Sequence, residues 1–423
     1  MPADPARKAA LDILTAALGR KAGLEAALEG PALAGLAPQD RNFARALVMT
    51  TLRHLGPIDT ALAARLQREP PEPVRMILRL GVAQLFWLDT PAYAAVDSSV
   101  TLAEADRETR GFKALVNAVL RRAAQAGAPA ADPASLAPPW LFARWRAAYG
   151  EKSARAVAAM IAEEPTTDLT PRNPDEAAGL AEALEAQVLP GGSLRRAGRG
   201  RIEEWPGFAE GRWWVQDAAA AIPARLLAVR PSETALDLCA APGGKALQLA
   251  AAGAAVTAVD RSASRLRRLT EALARTGLNA TLAAADAETW ADARAFDAVL
   301  LDAPCTASGT FRRNPDVLWT LRPGDIASLA ELQSRLLDAA ARRVQPGGRL
   351  VYCVCSLETE EGEAQAREFL KRHPAFRTAP AAPGEGGAPE ASVTPEGWLR
   401  ILPQQIAGGL DGFFVARFVR ADA

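Results

Sequence analysis

From Ala218 to the end of the chain, apolar runs of strand length alternate with helical stretches, and this alternation narrows what the second half can fold into. The runs are Ala235–Cys239, Ala255–Val259, Ala280–Ala284, Ala298–Asp302 and Arg349–Val354, separated by Lys245–Ala252, Ser262–Thr276 and Asp325–Arg343 at helical spacing. A late pair, Trp398–Leu402 and Gly412–Phe418, follows a Gly/Pro/Ala-rich loop at Ala379–Glu390. The pattern predicts a doubly wound α/β domain over residues 216–423, with an open, mostly parallel sheet. Ligands of such sheets bind beyond the carboxyl ends of the strands, so the loops that follow strands carry the search for function.

The first half reads differently. In residues 1–126 apolar side chains recur at i, i+3, i+4 in Ala9–Leu18, Phe43–Leu55, Val74–Leu88 and Phe112–Ala124, with no alternating strand, which predicts a small all-α bundle. Residues 127–139 (GAPAADPASLAPP) have the composition of a linker. Residues 140–215 are expected to form a small α+β module: a helical hairpin over Trp140–Ala162, short strands at Thr167–Thr170, Gln187–Leu189 and Arg212–Val215, and a helix at Glu176–Glu185.

Composition bounds the function. In 423 residues, 49 Lys plus Arg balance 49 Asp plus Glu, which argues against a strongly basic protein that coats any nucleic acid but leaves room for a local basic groove. Of the cations 43 are arginine, whose planar fork suits phosphate and stacks on bases, although coding bias accounts for such a count at least as well. His54 and His373 lie far apart without ligand spacing, so no metal site is expected. Four cysteines in a long chain, with no apolar run long enough to span a membrane, fit a cytoplasmic protein without a disulfide scaffold. A monomer is expected.

The first strand of the α/β half runs into Cys239-Ala240-Ala241-Pro242-Gly243-Gly244-Lys245, a turn whose glycines let a ligand approach the backbone closely. It matches neither GxGxxG nor GxxxxGK[ST], so it does not read as a dinucleotide or P-loop site. The second strand ends in Asp260, where a carboxylate can accept hydrogen bonds from both hydroxyls of a ribose. Asp286 and Asp302 close the third and fourth strands. Any one of them would pass as a helix cap, but three beside a Gly-Gly turn fit an adenosine-bearing cofactor, and S-adenosyl-L-methionine is the strongest candidate.

Cysteines follow the same strands. Cys305 sits in Asp302-Ala303-Pro304-Cys305-Thr306 and Cys355 in Tyr352-Cys353-Val354-Cys355-Ser356, and both lie at strand exits. Cys239 and Cys353 fit the usual role of an inert buried small hydrophobe. A methyltransferase acting on a pyrimidine has a use for a thiolate. Carbon 5 of the ring is a poor nucleophile until a thiolate adds to carbon 6 and turns the ring into an enamine. An acid near ring nitrogen 3, a role suited to Asp302, would stabilise that adduct, and a base must then remove the carbon 5 proton so that the thiol can leave.

DLCAAPGGK, AVDRSASRLRRL, LLDAPCTASGTFRRNPDVLW and GGRLVYCVCSLETEEGE closely resemble the signatures of the RNA 5-methylcytosine methyltransferases of the RsmB/NOP (Fmu) family, over about residues 212–420. The resemblance implies a Rossmann-like class I methyltransferase fold with Cys355 as nucleophile and Cys305 as the cysteine that helps release product. It implies cofactor contacts at Cys239, Ala240, Ala241, Pro242, Gly243, Gly244, Lys245, Asp260, Asp286 and Asp302, with Lys245 and Asp302 also facing the reaction. One departure is Cys353, two residues before the implied nucleophile, where the family often has Ser or Thr; the Cys-Ser-Leu-Glu context favours Cys355. ALDILTAAL, DRNFARALVMTTLRHLGPID, RMILRLGVAQLFWLDTPAYAAVDSSVTLA and GFKALVNAVLRRA are similar to the NusB-type helical RNA-binding domain. That domain ahead of this catalytic half is the arrangement of RsmB-type bacterial members, which implies a cytosine of small-subunit ribosomal RNA as substrate.

RNA would meet arginines. Arg41, Arg45, Arg53, Arg121 and Arg122 are candidates for a basic face of the bundle, although solvated helix surface takes most such residues. Arg195, Arg196, Arg199 and Arg201 precede Trp205, Phe208, Trp213 and Trp214, a mixture that can neutralise phosphates and stack bases, while the tryptophans also suit a core. Arg312 and Arg313 adjoin the Asp302–Cys305 loop and are the stronger candidates. A transfer RNA substrate, or a non-catalytic antitermination or ribosome-assembly factor, stands as the alternative; intact Asp302, Cys305 and Cys355 count against the latter.

Overall fold

The computed structural model describes residues 4–19, 23–130, 132–198 and 200–422. In chain order the helices of the first part are α1 (Pro5–Leu18), α2 (Gly23–Glu29), α3 (Pro38–Arg53), α4 (Leu55–Ala63), α5 (Glu72–Trp87), α6 (Ala92–Ala105), α7 (Lys113–Ala126) and α8 (Pro139–Ala159). Then come β1 (Thr167–Pro171), α9 (Ala177–Ala183), β2 (Ala186–Val188), β3 (Leu194–Arg196), β4 (Trp213–Val215), α10 (Ala218–Leu227), β5 (Thr234–Leu238), α11 (Gly244–Ala251), β6 (Ala255–Asp260), α12 (Ala263–Thr276), β7 (Thr281–Ala284) and β8 (Phe296–Asp302). The chain ends with α13 (Val317–Thr320), α14 (Pro323–Ala341), β9 (Val344–Val354), α15 (Glu363–Arg372), β10 (Phe376–Thr378), β11 (Leu399–Ile401) and β12 (Phe413–Arg420).

Contacts group the chain into two compact units, residues 1–164 with 311–321, and residues 165–310 with 322–423. The helical stretch expected with the α+β module is α8, interrupted by non-helical dihedrals at Gly150 (φ +79°), and it groups with the helices. Residues expected as a linker are partly core: Leu136 and Ala137 are buried, in and after a short helical turn at Pro133–Leu136.

The helical unit follows from its apolar stripes. Ile13 and Leu14 of α1, Leu47 and Val48 of α3, Ile77 and Leu80 of α5, and Val116 and Leu120 of α7 interdigitate in one core. Arg79 of α5 forks onto Asp59 of α4 at 2.8 and 2.7 Å. The excursion 311–321 belongs here too: Phe311 lies 6.0 Å from Trp145 between ring centres, and Asp316 accepts the Leu24 N–H at 3.0 Å.

In the second unit β2-β3-β1-β4 form a small antiparallel sheet, and the larger sheet runs β10-β12-β9-β8-β5-β6-β7 with β11 also on β12. Strands β5 to β9 pair in parallel, and β10, β11 and β12 are antiparallel. The strands are apolar on both faces because both are covered. Ala235, Ala298, Leu300 and Val351 pack with Ile222 of α10, Leu247 of α11 and Leu269 of α12. Their neighbours Leu236, Val299, Leu301 and Leu350 pack with Leu336 and Leu337 of α14 and Phe369 of α15. This three-layer arrangement is the expected doubly wound domain. It carries every strand-end loop from β5 to β9 to one edge.

Candidate active site

The cofactor turn begins where Cys239 leaves β5 with a φ of +62°. Ala240 N–H donates to the Val259 carbonyl at 3.0 Å and Ala241 N–H to Asp260 Oδ2 at 3.1 Å, so the turn is stitched to the end of β6. Gly243 has φ +118°, and a Cβ there would lie 2.4 Å from Leu269 Cδ1; only glycine lets the turn sit this close to α12. Asp260 Oδ1 accepts the Ser262 N–H at 2.8 Å, and each carboxylate oxygen keeps a further lone pair for a ligand hydroxyl.

These loops border a cleft of about 220 Å³. Its wall includes Cys239, Ala241, Asp260, Asp286, Asp302, Cys305 and Cys355, so the structure brings together most of the residues expected there. Ala240, Pro242, Gly243, Gly244 and Lys245 shape the turn without forming the wall. Val259, Ala285, Leu332 and Leu336 supply an apolar side suited to adenine, and the carboxylates suit ribose. The residues fit S-adenosyl-L-methionine.

At the other side of the cleft the Cys305 and Cys355 sulfurs are 3.5 Å apart, neither in a disulfide. The Cys305 pKa is held well above that of an ordinary thiol by its hydrogen bond to Cys355 and by burial. Cys353 is fully buried on β9, does not reach the cleft, and points its thiol at Asp302 Oδ1, 3.4 Å away. Burial, with Asp302 adding, raises its pKa too.

Asp302 is bound on its other oxygen by the Lys245 ammonium at 2.6 Å. Burial, the largest single influence, would lower the lysine pKa, but the charge and hydrogen bond of Asp302 together with Cys353 and Cys355 outweigh it and hold the pKa above the usual value. Asp302 therefore works as half of an ion pair, where the sequence suggests a lone acid.

Asp237 on β5 opens the DLCAAPGGK motif, but the sequence assigns it no role of its own. It is fully buried, and neither carboxyl oxygen has a hydrogen-bond partner among the described residues. Burial, reinforced by the Asp302 charge, raises its pKa from 3.8 to about 8, so it carries its proton at neutral pH. The unfolded chain gives up that proton near 3.8, so the proton's contribution to stability is complete below that pH and is lost as pH rises through about 8. Asp237→Asn, which cannot ionise, is expected to flatten the fall of the thermal midpoint across this window. Equal slopes for the two proteins in a pH series of melting curves would exclude Asp237 as the group.

The sequence signature of the 16S rRNA methyltransferase RsmB/F family matches residues 224–419, and that of the NusB family matches residues 4–125. A ribosomal RNA small subunit methyltransferase B from Xanthomonas campestris pv. campestris is 38% identical, the alignment covering 98% of this chain and 97% of the relative. The chain belongs to the ribosomal RNA small subunit methyltransferase B family. Among solved structures, that of PH0851 matches with a TM-score of 0.79 at 25% identity over 99% of both chains. A methyltransferase homologue from Pyrococcus horikoshii matches with a TM-score of 0.55 at 27% identity, over 66% of this chain and 94% of its own.

Within the methyltransferase B fold, several arginines expected to meet RNA are structural. Arg195 of β3 is 7% exposed, forks onto buried Asp168 at 2.7 Å, and donates to the Ala407 and Gly409 carbonyls. Arg196 lies over the Trp205 ring at 4.3 Å, and Trp213 and Trp214 are buried, whereas Arg201 stays exposed and pairs with Glu204 at the surface. Arg199 lies outside the described residues. In the helical unit Arg53 is 6% exposed and bonds the Glu163 and Arg312 carbonyls, and burial lowers its pKa to about 10. Arg312 is 1% exposed and Arg313 half-buried, so Arg312 offers no cation to solvent. Arg41, Arg45, Arg121 and Arg122 are exposed on α3 and α7, which both pack on α5. No helix among the described residues is long and apolar enough to cross a membrane.

Proposed function

We propose that the protein transfers a methyl group to carbon 5 of a cytosine in small-subunit (16S) ribosomal RNA through a covalent adduct between Cys355 and carbon 6. The observation that carries this reading is a pair of thiols 3.5 Å apart on the wall of a cleft that also presents Asp260, Asp286 and Asp302. Methyltransferases of other chemistry have no use for two juxtaposed thiols, and the relatives named for the small subunit supply the substrate class.

Asp260, Asp286 and the turn from Cys239 would hold S-adenosyl-L-methionine, which would supply an electrophilic methyl group. Cys355 adds as thiolate to carbon 6, and the electron pair displaced from the ring makes carbon 5 nucleophilic. The Lys245–Asp302 pair supplies the proton and charge that stabilise this adduct at nitrogen 3. Cys305 keeps its proton while Cys355 is a thiol or thiolate. Once Cys355 is a neutral thioether, its charge no longer opposes ionisation of Cys305, which gives its own proton to solvent and as thiolate accepts the carbon 5 proton as the carbon 6–sulfur bond breaks. The cytosine must leave any stack to reach the sulfurs, so an unpaired or extruded base is the substrate. The helical unit, through Arg41, Arg45 and Arg121, supplies contacts to the RNA backbone.

Bisulfite sequencing of ribosomal and transfer RNA from cells with and without the gene tests activity and target together. Loss of one protected cytosine in 16S ribosomal RNA is expected. A loss confined to transfer RNA, or no loss at all, overturns the assignment.

A further inference from the structure

Each cleft cysteine is followed by a hydroxyl residue, Thr306 after Cys305 and Ser356 after Cys355, and both hydroxyls converge on one side chain. Glu361 Oε1 accepts the Thr306 N–H at 2.9 Å and the Gln333 amide at 2.9 Å, and its Oε2 accepts the Thr306 and Ser356 hydroxyls. Gln333 of α14 also donates to the carbonyl of Pro304, the residue before Cys305, at 2.9 Å. Nearby, the Leu357 N–H donates to Ser308 Oγ at 2.9 Å and the Gly309 N–H to the Cys355 carbonyl at 3.0 Å. Glu361 is fully buried and forms no part of the cleft wall. A buried carboxyl group is costly unless its oxygens are satisfied, and this one is satisfied by donors from both cysteine loops and the helix behind them.

The two halves of the covalent reaction make different demands on these loops. Of the two cysteines, addition needs only Cys355 at carbon 6. Release needs Cys305 within reach of a proton on the very ring that Cys355 holds, so it depends on the separation of the two loops. We propose that Glu361 is a positioning residue for release: by bonding the residue after each cysteine, it sets the Cys305–Cys355 separation. In that step the carbon 5–hydrogen bond breaks and its electron pair forms the carbon 5–carbon 6 double bond. The carbon 6–sulfur bond breaks with its pair leaving on Cys355, and the proton passes to Cys305. The proposal rests on the covalent reading above and adds the residue that governs its second half.

The test uses the full-length protein with unmodified 16S ribosomal RNA transcript and methyl-labelled S-adenosyl-L-methionine. Turnover, covalent enzyme–RNA adduct on denaturing gels, S-adenosylhomocysteine affinity and thermal midpoint are measured for Glu361→Gln, Glu361→Asp, Thr306→Val and Cys305→Ala. Glutamine presents one acceptor oxygen and turns an NH2 toward the donors, so turnover should fall roughly tenfold or more, as a misplacement of about 1 Å implies. Adduct should accumulate although Cys305 is intact, with cofactor affinity unchanged within about twofold. Glu361→Asp, which keeps both acceptors, should recover part of the turnover, and Thr306→Val should raise the adduct in its own right. Wild-type turnover without adduct in Glu361→Gln overturns the proposal, and so does joint loss of turnover and adduct. If Glu361→Gln does not fold, Thr306→Val decides by the same readout. If Cys305→Ala itself forms no adduct, the covalent reading fails and the proposal with it; if it does and the Glu361 and Thr306 variants do not, only the proposal fails.

Discussion

Cys355→Ala is expected to abolish methyl transfer and to leave no covalent enzyme–RNA species. Removing a nucleophile from a covalent mechanism costs on the order of 10⁴–10⁶-fold in turnover, because the addition step has no substitute. The neighbouring thiols offer none. Cys353 is fully buried against Asp302, and burial raises its pKa, which disfavours the thiolate that addition requires. Cys305 shares the cleft, but its pKa is held up as well. The side chain of Cys355 is half-buried at the margin of the apolar core and loses only its sulfur on replacement, so its alanine variant should melt within a few degrees of the parent and bind S-adenosylhomocysteine normally. Methyl incorporation into unmodified 16S ribosomal RNA is the measurement. Residual turnover near the parental rate would remove Cys355 from the mechanism and return attention to Cys353.

Cys305→Ala is expected to do the opposite at one point: methylated RNA stays attached to the protein. Addition and methyl transfer need Cys355, whereas expulsion needs a base within reach of carbon 5. Losing general-base assistance costs typically about 10²–10⁴-fold, so the adduct decays slowly enough to be seen on a denaturing gel. The 3.5 Å sulfur–sulfur distance is the structural basis, since a base so near the nucleophile is near the ring atom next to the one it attacks. Adduct that carries label from the methyl group places the block after transfer. Rapid, adduct-free turnover in this variant would sink the role assigned to Cys305.

Much of this site is legible in the sequence because its parts are local in the chain. The segments Cys239–Lys245, Asp302–Thr306 and Cys353–Ser356 each lie where a strand ends, and strand ends are readable from apolar run length and the turn residues that follow. Topology carries them to one edge, as the doubly wound pattern implies. Asp237 and Glu361 are not legible in this way. Each is an ordinary acidic residue in its own segment, and its meaning comes from what surrounds it: no partner for one, and donors from Thr306, Gln333 and Ser356 for the other. The three-residue strands β3 and β10 escape the sequence pattern, although β2, β4 and β11 of the same length do not.

The arginines mark the limit most clearly. Arg195, Arg312 and Arg41 are the same residue type in similarly charged stretches, yet Arg195 forks onto buried Asp168, Arg312 is buried in the segment that returns to the helical unit, and Arg41 is exposed. Charge is a property of the residue, whereas exposure is a property of its neighbours, and those neighbours lie tens to hundreds of positions away in the chain.

The sequence by itself determined the two architectures, the cofactor turn and the pair of strand-exit thiols, because periodicity and local turn chemistry are written within a few residues. The tertiary structure alone decided the partnership of Asp302 with Lys245, the protonated Asp237, the junction at Glu361 and the burial of Arg53, Arg195 and Arg312 among the candidate RNA arginines. Each of these is an electrostatic or hydrogen-bonding outcome of burial, and burial exists only once distant segments have packed together.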